Sequence, residues 1–356
     1  MAATGYAALV TQNGAADPPA AIRRATVREV AARAGVSIAT VSRVLNGHAN
    51  VAPHTRELVE LAAAQLTAAP TGADRADGTL GDVYVRCPYV LTDYFGLIVS
   101  SIAESLRHHG RGLVLDAGEA AQSEAVLPTL HTAHPGGGAI LILPPEPSAE
   151  LLALRSRGFP FVVVDPRTPP PRDIAAVSAA HFAGARNVAG HLVALGHRRV
   201  GVIAGPHNWL ASQAREAGHA SALADVGVLP EPGLVRRGEP TTGFGRKAAG
   251  ELLDSPDRPT ALICFNDKTA VGALAAAAER GLRIPEDLSV AGFDDIDLAQ
   301  ATRPQLTTVH QPLQEMGRMA VSLLMRLLER QRIDALHVEL ATELIVRGST
   351  GPAPRP

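Results

Sequence analysis

Side chains able to bind other molecules are concentrated in two parts of the sequence. Between Arg23 and Arg56 there are six arginines and a single acid, Glu29, and arginine can bind guanine edges or phosphates through two parallel hydrogen bonds. In the second half, Asp294 follows one apolar run and Asn266 follows another, and their oxygens can accept hydrogen bonds from a polyol. We therefore expect a nucleic-acid surface near the N-terminus and a site for a small polar molecule in the second half.

The arginine-rich part has the spacing of a helix-turn-helix. Thr26 and Glu29 can form a capping box that begins a first helix, and Gly35 supplies the left-handed residue that ends it. Ser37 then predicts the N-cap of a second helix, Ile38–Leu45, and apolar residues at helical spacing predict a third helix further along. Two short helices joined by a glycine turn can place the second of them in a major groove.

The second helix has an outer face suited to reading DNA. Arg43 can bind a guanine edge, and Ile38 and Ala39 can contact thymine methyl groups. The hydroxyl groups near this face can bind phosphate, and they belong to Ser37, Thr40 and Ser42. The alternative is a helical subdomain whose basic face is only solvated.

Beyond residue 81, short apolar runs alternate with helical patterns, which is typical of parallel βαβ units. The predicted strands are 82–87, 112–115, 139–143, 161–164, 199–203, 260–264 and 289–293. Seven such units exceed one ordinary sheet, so we expect two lobes facing a cleft, with the chain crossing near 165–178 and again near 293–303. Open parallel sheets bind ligands beyond the carboxyl ends of their strands, so the cleft is the predicted site.

Residues 26–47, TVREVAARAGVSIATVSRVLNG, followed by TRE at 55–57, resemble the signature head of the lactose/galactose repressor family of bacterial transcription regulators. The resemblance implies a DNA-binding head in which Ile38, Ala39 and Arg43 read bases. It also implies a second set of residues that meets the DNA backbone, namely Thr26, Ser37, Thr40, Ser42 and Asn46.

The joint after the head departs from the family pattern. The family has Pro-Asn, a small residue, Arg and a leucine in a hinge helix that wedges into the minor groove, whereas this chain has Thr71 after Pro70 and Asp77 near the expected leucine. Two glycines in this segment disfavour a helix, and its acids repel phosphate. Because an intercalating wedge must be apolar, we expect weak or absent kinking of the operator, unless the helix forms in a shifted register.

The second half carries further family landmarks in family order, namely LGHRRV at 195–200, AGP at 204–206, CFND at 264–267, GLRIPEDLSV at 281–290, GFDD at 292–295 and QLTTVHQP at 305–312. The resemblance implies the fold of periplasmic sugar-binding proteins, which is two Rossmann-like lobes joined by a three-stranded hinge. It also implies a cleft arginine at Arg215, which can bind sugar hydroxyls or a carboxylate.

Several polar residues are candidates for effector contacts in this cleft. Asp294 and Arg215 are predicted to bind the ligand rather than to form only a structural ion pair. Asn266 and Asp267 end a strand in the same way, but an Asx pair can equally cap the next helix. The family usually carries Asp-Asn where this chain has alanine and His181, so His181 either binds ligand or caps a helix.

Aromatic residues make up only 3% of the chain, and a few of them lie near predicted strand ends. Trp209, the only tryptophan, and Tyr94 are predicted to line the cleft, with Tyr89 as a further candidate, because aromatic rings pack against the apolar face of a sugar. Phe95 is predicted to belong to the core.

Bulk composition limits the class of protein. The 356 residues carry a formal net charge of −2, 46% hydrophobic residues and two distant cysteines, which fits two or three globular units in a reducing compartment. No metal-ligand or phosphate-loop spacing is present, so we expect neither an enzyme nor a cofactor or metal site. A transport-type sugar-binding protein would need an export signal and no DNA-reading head, so we expect a cytoplasmic protein without a membrane segment.

Together these observations predict an α/β protein with an all-α head. The predicted boundaries are a disordered leader at 1–22, the head at 23–69, an atypical linker at 70–80, a two-lobed effector-binding and dimerisation domain at 81–350, and a tail at 351–356. One head buries too little surface to select a genomic site, so a homodimer on a pseudo-palindromic operator is expected. The apolar face of a helix at 312–329 either forms the dimer contact or belongs to the core. A sugar-like effector is expected to control the affinity of this repressor for DNA.

Overall fold

The computed structural model describes residues 30–31, 34, 36–45, 55–56, 59, 81–122 and 125–354, without the side chains of Ala39, Leu45 and Ala120. The predicted leader, nearly all of the linker, and the residues Thr26 and Asn46 lie outside this set. The chain divides into two compact units, Met1–Thr79 and Leu80–Pro356.

In the first unit, Ile38–Leu45 forms helix α1, as predicted. Ser37 caps this helix because its hydroxyl oxygen accepts the backbone N–H of Thr40 at 3.2 Å. The buried core beneath α1 consists of Val30, Ala31, Val41, Val44 and Val59. On the outer face, the side chain of Ile38 is 50% exposed and Arg43 is also exposed.

The first lobe of the second unit is built on a parallel sheet of six strands within the described ranges. These strands are β1 (Val83–Cys87), β2 (Leu113–Ala117), β3 (Ala139–Ile142), β4 (Phe161–Val164), β5 (Ala175–Ala179) and β11 (His337–Leu340), in the order β11-β5-β4-β3-β1-β2. Two helices, α2 (Asp93–His108) and α10 (Leu313–Leu328), pack on one face of the sheet. The other face is covered by α3 (Leu130–Ala133) and α4 (Ser148–Ser156).

The second lobe repeats this arrangement with four parallel strands in the described part of the chain. Its strands are β6 (Val200–Ala204), β7 (Val235–Arg237), β8 (Ala261–Cys264) and β9 (Ser289–Ala291), in the order β7-β6-β8-β9. Its helices are α5 (His181–Ala194), α6 (Leu210–Ala224), α7 (Thr242–Leu253), α8 (Asp267–Glu279) and α9 (Asp297–Ala301). Gly245 and Gly272 let α7 and α8 approach closely, since a Cβ at either position would lie 2.2 Å from a backbone oxygen of the other helix.

In the part that the structure describes, the chain passes between the lobes three times. Two further strands, β10 (Thr308–His310) and β12 (Glu343–Ile345), form an antiparallel pair. The three passages lie between β5 and α5, between β10 and α10, and between β11 and β12. The predicted crossings at 165–178 and 293–303 are therefore wrong. The first comes only after β5, whose alanine-rich sequence has little strand propensity, although burial between β4 and β11 makes it part of the sheet.

Helix α10 packs inside the first lobe, so the sequence-based alternative that its apolar face forms a dimer contact is wrong. Its buried residues are Leu313, Met316, Gly317, Ala320, Val321, Leu323, Leu324 and Met325. They pack with α2, and a Cβ at Gly317 would come within 2.8 Å of the backbone oxygen of Ile98. No helix among the described residues is long and apolar enough to cross a membrane.

Candidate functional site

The facing strand ends of the two lobes enclose a cavity of about 580 Å³. In both sheets the first strand lies between its neighbours, as β2-β1-β3 and as β7-β6-β8, and such a reversal of strand order opens a crevice beyond the carboxyl ends. The first lobe lines the cavity with residues that follow its strands, including Tyr89, Thr92, Leu143, Asp165 and Arg167. The second lobe does the same with Asn208, Trp209, Phe265, Asn266 and Asp294.

Three residues that line the cavity adopt a backbone conformation with positive φ, which normally favours glycine. Leu143, Asp165 and Asp294 have φ values of 45°, 50° and 114°, and each lies just beyond a strand, where the chain reaches the cavity. Such conformations cost about 1–3 kcal/mol for residues with a side chain. The surrounding packing therefore imposes these positions, which is a recurrent property of binding sites.

Arg215 is a fixed cation in the cavity wall. Its side chain is only 4% exposed, and the guanidinium carbon lies 3.7 Å from the ring centre of Phe293 and 4.4 Å from that of Phe265. One terminal nitrogen donates to the carbonyl of Phe265, and the other lies 3.9 Å from the carboxylate of Asp294. Arg215 is thus held in one orientation before any ligand binds, which lowers the entropic cost of binding.

Asp294 is the acceptor opposite this arginine. Its Oδ1 accepts a hydrogen bond of 2.6 Å from the side-chain amide of Gln311. Burial raises the pKa of Asp294 to about 7, and Asp165 adds to the increase, although Arg215 and Gln311 oppose it. The charge of this acceptor therefore changes near neutral pH.

A chain of hydrogen bonds connects the two lobes behind this pair. The Tyr94 hydroxyl donates to Asp165 Oδ2 at 2.8 Å, and His181 Nε2 lies 2.8 Å from Asp165 Oδ1. On its other side, His181 Nδ1 lies 3.3 Å from a terminal nitrogen of Arg215, so the ring can donate to Asp165 and accept from Arg215. Burial opposes ionisation of Asp165, but His181 and Tyr94 nevertheless lower its pKa below the ordinary value.

His181 does not line the cavity, and its side chain does not cap α5. The capping alternative is therefore wrong, and ligand binding by His181 stays a prediction. Its two ring nitrogens are directed to a lining carboxylate and a lining arginine. His181 therefore orients Asp165 and Arg215, while Tyr94 both lines the cavity and bonds to Asp165.

Asn266 and Asp267 differ although they are neighbours. Asn266 lines the cavity and also begins α8 in a capping box, where its side chain accepts the N–H of Thr269 at 2.9 Å. Asp267 does not line the cavity, and its oxygens accept hydrogen bonds from the Thr308 hydroxyl and the Ile296 N–H. Burial, followed by the charge of Asp294, raises its pKa well above the ordinary value. The capping alternative is thus confirmed for Asn266, and Asp267 has a structural place behind the wall.

Aromatic rings form one wall of the cavity. Trp209 stands edge-on to Tyr89 and Phe265, with ring centres 6.4 and 6.2 Å apart. Tyr89 stacks on Phe95 at 4.7 Å with the rings nearly parallel. Phe95, predicted to belong to the core, packs against the core of the first lobe, but it is half-buried and also lines the cavity. Helix α2 begins at the rim and carries this residue in its first turn.

Five charged residues of the cavity lining are not among the residues predicted from the sequence, namely Glu119, Asp165, Arg167, Glu239 and Lys268. Asp165 directly follows β4, in the position that Asp294 and Asn266 occupy near their own strands. The signal of a polar residue at a strand end is therefore present, but the predicted crossing between lobes at 165–178 conceals it. Among the described residues, no cluster of three or more possible metal ligands is found.

The outer face of α1 is the candidate DNA surface. Arg43 and Ile38 are exposed, and Thr40 and Ser42 are half-buried. Ser37 is exposed, but its hydroxyl also lies 2.9 Å from that of Thr40. The structure does not describe the other predicted contacts, which are the side chain of Ala39 and the residues Thr26 and Asn46.

Comparison with known proteins covers both units. Residues 26–70 match the family described as bacterial regulatory proteins, lacI family, and residues 189–350 match a periplasmic binding protein-like domain. The HTH-type transcriptional repressor CytR of Escherichia coli K12 is 34% identical over 336 residues, spanning 93% of this chain and 97% of that protein.

Two solved structures resemble most of the chain. The transcriptional regulator CelR in complex with cellobiose is 31% identical, with a TM-score of 0.69 over 92% of this chain and all of that one. The lac repressor dimer bound to operator and the anti-inducer ONPF is 28% identical, with a TM-score of 0.70 over 92% of this chain and 99% of that one. The expected α/β fold, with its helix-turn-helix head and two-lobed domain, is confirmed. The chain belongs to the lacI family of bacterial regulatory proteins and is a DNA-binding transcriptional regulator.

Proposed function

We propose that a small polar effector, a sugar or sugar derivative, binds in the interlobe cavity and sets the affinity of this regulator for its operator. The observation that carries the proposal is the convergence of Arg215 and Asp294 beside an aromatic wall at the strand ends of two facing lobes. A fixed donor and a fixed acceptor suit sugar hydroxyls, and Trp209 suits the apolar face of the ring. The relative CelR was solved with cellobiose, which supports a carbohydrate.

The coupling to DNA follows from the position of the cavity. A ligand that contacts Arg215 in one lobe and Asp165 or Tyr94 in the other favours the lobe arrangement in which all these contacts form. Its effect on DNA affinity cannot exceed the difference between its affinities for the two arrangements. Asn266 completes the proposed contacts from the second lobe, and His181 acts by orienting Asp165 and Arg215.

At the DNA, we propose that Arg43 and Ile38 read bases together with Ala39. Ser37, Thr40 and Ser42, with Thr26 and Asn46, are proposed to bind the backbone. The exposed guanidinium of Arg43 is available for two parallel hydrogen bonds to guanine. The chain is further proposed to be cytoplasmic and without catalytic activity, as expected for a relative of transcriptional repressors.

A homodimer is proposed because a symmetric pair of heads can read two half-sites one helical turn apart. The lac repressor was solved as a dimer on its operator. In this chain, β2 is an edge strand, and its Val114 and Leu115 are exposed large apolar residues. A second copy that covers this edge would remove apolar surface from water, which favours association.

The test combines DNA selection with an effector screen. Operator sequences are selected from random duplex DNA, and binding is measured by fluorescence anisotropy with and without a panel of sugars. At least one sugar should change the dissociation constant of the selected DNA by about tenfold or more and should raise the melting temperature. If no DNA sequence is preferred, or if no member of the panel changes DNA affinity, the proposal is wrong.

A further inference from the structure

Arg167 is a cation of the cavity wall that has no carboxylate partner among the described residues. It lies two residues after Asp165 on the segment that follows β4, and its side chain is half-buried. One terminal nitrogen donates to the hydroxyl of Tyr89, whereas Nε is buried without a hydrogen-bond partner. The other terminal nitrogen, Nη1, makes no hydrogen bond to any part of the chain that the structure describes. The guanidinium therefore keeps unused donors at the cavity.

Aromatic rings and backbone contacts hold Arg167 in this place. Its guanidinium carbon lies 5.4 Å from the ring centre of Trp209 and 5.9 Å from that of Tyr89. Its backbone carbonyl accepts the N–H of Leu210, the first residue of α6, at 2.7 Å. Cation–π contacts offset part of the cost of removing the charge from water, but they supply no counter-charge. An anion is the ligand that would supply it.

Lys268 repeats this pattern on the other lobe. It is half-buried, it lines the cavity, and its ammonium group donates to the hydroxyl of Thr92 at 2.7 Å. Within the described ranges, it forms no ion pair either. Each lobe thus directs at the cavity one cation whose hydrogen bond goes to a neutral hydroxyl group.

No carboxylate of the cavity forms an ion pair with these cations in the described part of the chain, although the charge of Lys268 opposes the increase in the pKa of Asp294. Asp165 is bound by His181 and Tyr94, and Asp294 is bound by Gln311 and lies beside Arg215. The remaining acids of the cavity lining, Glu119 and Glu239, form no ion pair with Arg167 or Lys268 in the described part of the chain. Both buried acids therefore have nearer partners than Arg167 and Lys268, and these two cations line the space that a ligand would fill.

We propose that the effector carries an anionic group, either a carboxylate or a phosphate ester, and that Arg167 selects it with Lys268 as the second cation. This inference rests on the proposed effector function and adds the chemical class of the ligand. The neutral part of the molecule would contact Trp209 and Asp294, while the anion accepts two parallel hydrogen bonds from Arg167.

Binding can be followed directly, since Trp209 is the only tryptophan of the chain. The full-length protein is titrated at constant ionic strength with glucose, glucose 6-phosphate, glucuronate, acetate and inorganic phosphate, by tryptophan fluorescence and by calorimetry. Phosphate-bearing and carboxylate-bearing probes distinguish the two sources of negative charge. At least one of the two classes is expected to bind about tenfold or more tightly than glucose.

Two variants locate the anion. Arg167→Gln is expected to weaken the anionic probes by about 10- to 100-fold, the usual range for a lost charge-assisted hydrogen bond. Arg172→Gln removes the same charge from an exposed position of the same segment that does not line the cavity, and it should change affinity by less than about twofold. Melting curves of both variants establish that the fold is retained, and Arg167→Lys should keep part of the affinity.

The outcomes separate this inference from the function on which it rests. If a neutral sugar binds and changes operator affinity equally in wild type and Arg167→Gln, the anionic inference is wrong and the effector function stands. The anionic inference is also wrong if both glutamine variants lose affinity equally or if no anionic probe binds at millimolar concentrations. If neither neutral nor anionic molecules change operator affinity, the effector function itself fails.

Discussion

Arg43 and Arg215 carry the same guanidinium group in opposite settings. Arg43 is exposed on the outer face of an eight-residue helix over a small core, whereas Arg215 is almost fully buried between two phenylalanine rings and beside Asp294. A DNA-binding surface can remain solvated until the duplex arrives, because the phosphates supply the compensating charge. A cavity must compensate a buried cation within the protein, since an isolated charge in a low-dielectric interior is costly.

This difference in burial between Arg43 and Arg215 indicates where mutation can separate binding affinity from stability. At the head, affinity for the partner should change without loss of stability. In the cavity, the groups that would hold the ligand also hold the fold, so affinity and stability should change together.

The largest expected effect is that of Arg215→Ala on stability. Removing one partner of a buried pair costs about 3–5 kcal/mol, because the other charge is left without compensation. The free energy of unfolding of the second unit is measured by urea denaturation with Trp209 fluorescence. Arg43→Ala serves as the matched control and should change that free energy by less than about 0.5 kcal/mol. Equal stabilities for the two variants would contradict the contrast between buried and exposed arginine.

Arg43→Ala should instead act on DNA. Loss of a two-point contact with guanine is expected to weaken the selected operator about 10- to 100-fold and to relax the preference at one base position. Arg43→Lys keeps the positive charge but cannot form two parallel hydrogen bonds to guanine. Compared with Arg43→Ala, it should therefore regain attraction to the DNA backbone without regaining base selectivity. Anisotropy titrations on the selected operator and on a scrambled duplex distinguish these effects. Equal weakening on both duplexes would mean that Arg43 contacts phosphate rather than a base.

Asp294→Asn tests the cavity through pH. The pKa of Asp294 is raised from 3.8 to about 7 by burial, so between these values the folded state holds a proton that the unfolded chain has released. Stability should therefore fall as pH rises from about 4 to 7 and then level off. The asparagine variant lacks this titrating group, so its melting temperature relative to that of wild type should rise by a few degrees between about pH 4 and pH 8. A difference in melting temperature that is the same on both sides of this pH range would contradict the assignment.

The strand ends of the site could be predicted because they depend on local pattern. The apolar runs at 161–164 and 260–264 predict β4 and β8 almost to the residue. Because Asn266 and Asp294 each follow a predicted parallel strand, the sequence also predicts that both lie at the same rim. The strand β5 could not be predicted in this way, because alanine and serine form a strand here only through burial between β4 and β11.

The direction of the side chains at the site was harder to predict from the sequence than the positions of the strand ends. His181 and Asp267 share the cavity region with Arg215 and Asn266, but only packing decides which groups line the wall and which support it. The same limit applies to α10, whose apolar face would look identical against a lobe core or a second subunit. Arg167 could not be predicted because it lies in a loop, where the sequence shows no periodic pattern. Only the folded chain brings it next to the rings of Tyr89 and Trp209.

Asn266 gives the smallest expected effect and the sharpest test of a residue with two roles. Asn266→Ala removes the N-cap of α8 and should cost about 1 kcal/mol, whereas Asn266→Ser retains a capping oxygen and should cost only a few tenths. Both variants lose the amide that lines the cavity, so both should weaken the effector to the same degree if that amide binds it. Urea denaturation and calorimetry separate the two quantities. Effector affinity that follows stability across the two variants would show that Asn266 serves only as a cap, and that the cavity holds its ligand through Arg215, Asp294 and the aromatic wall alone.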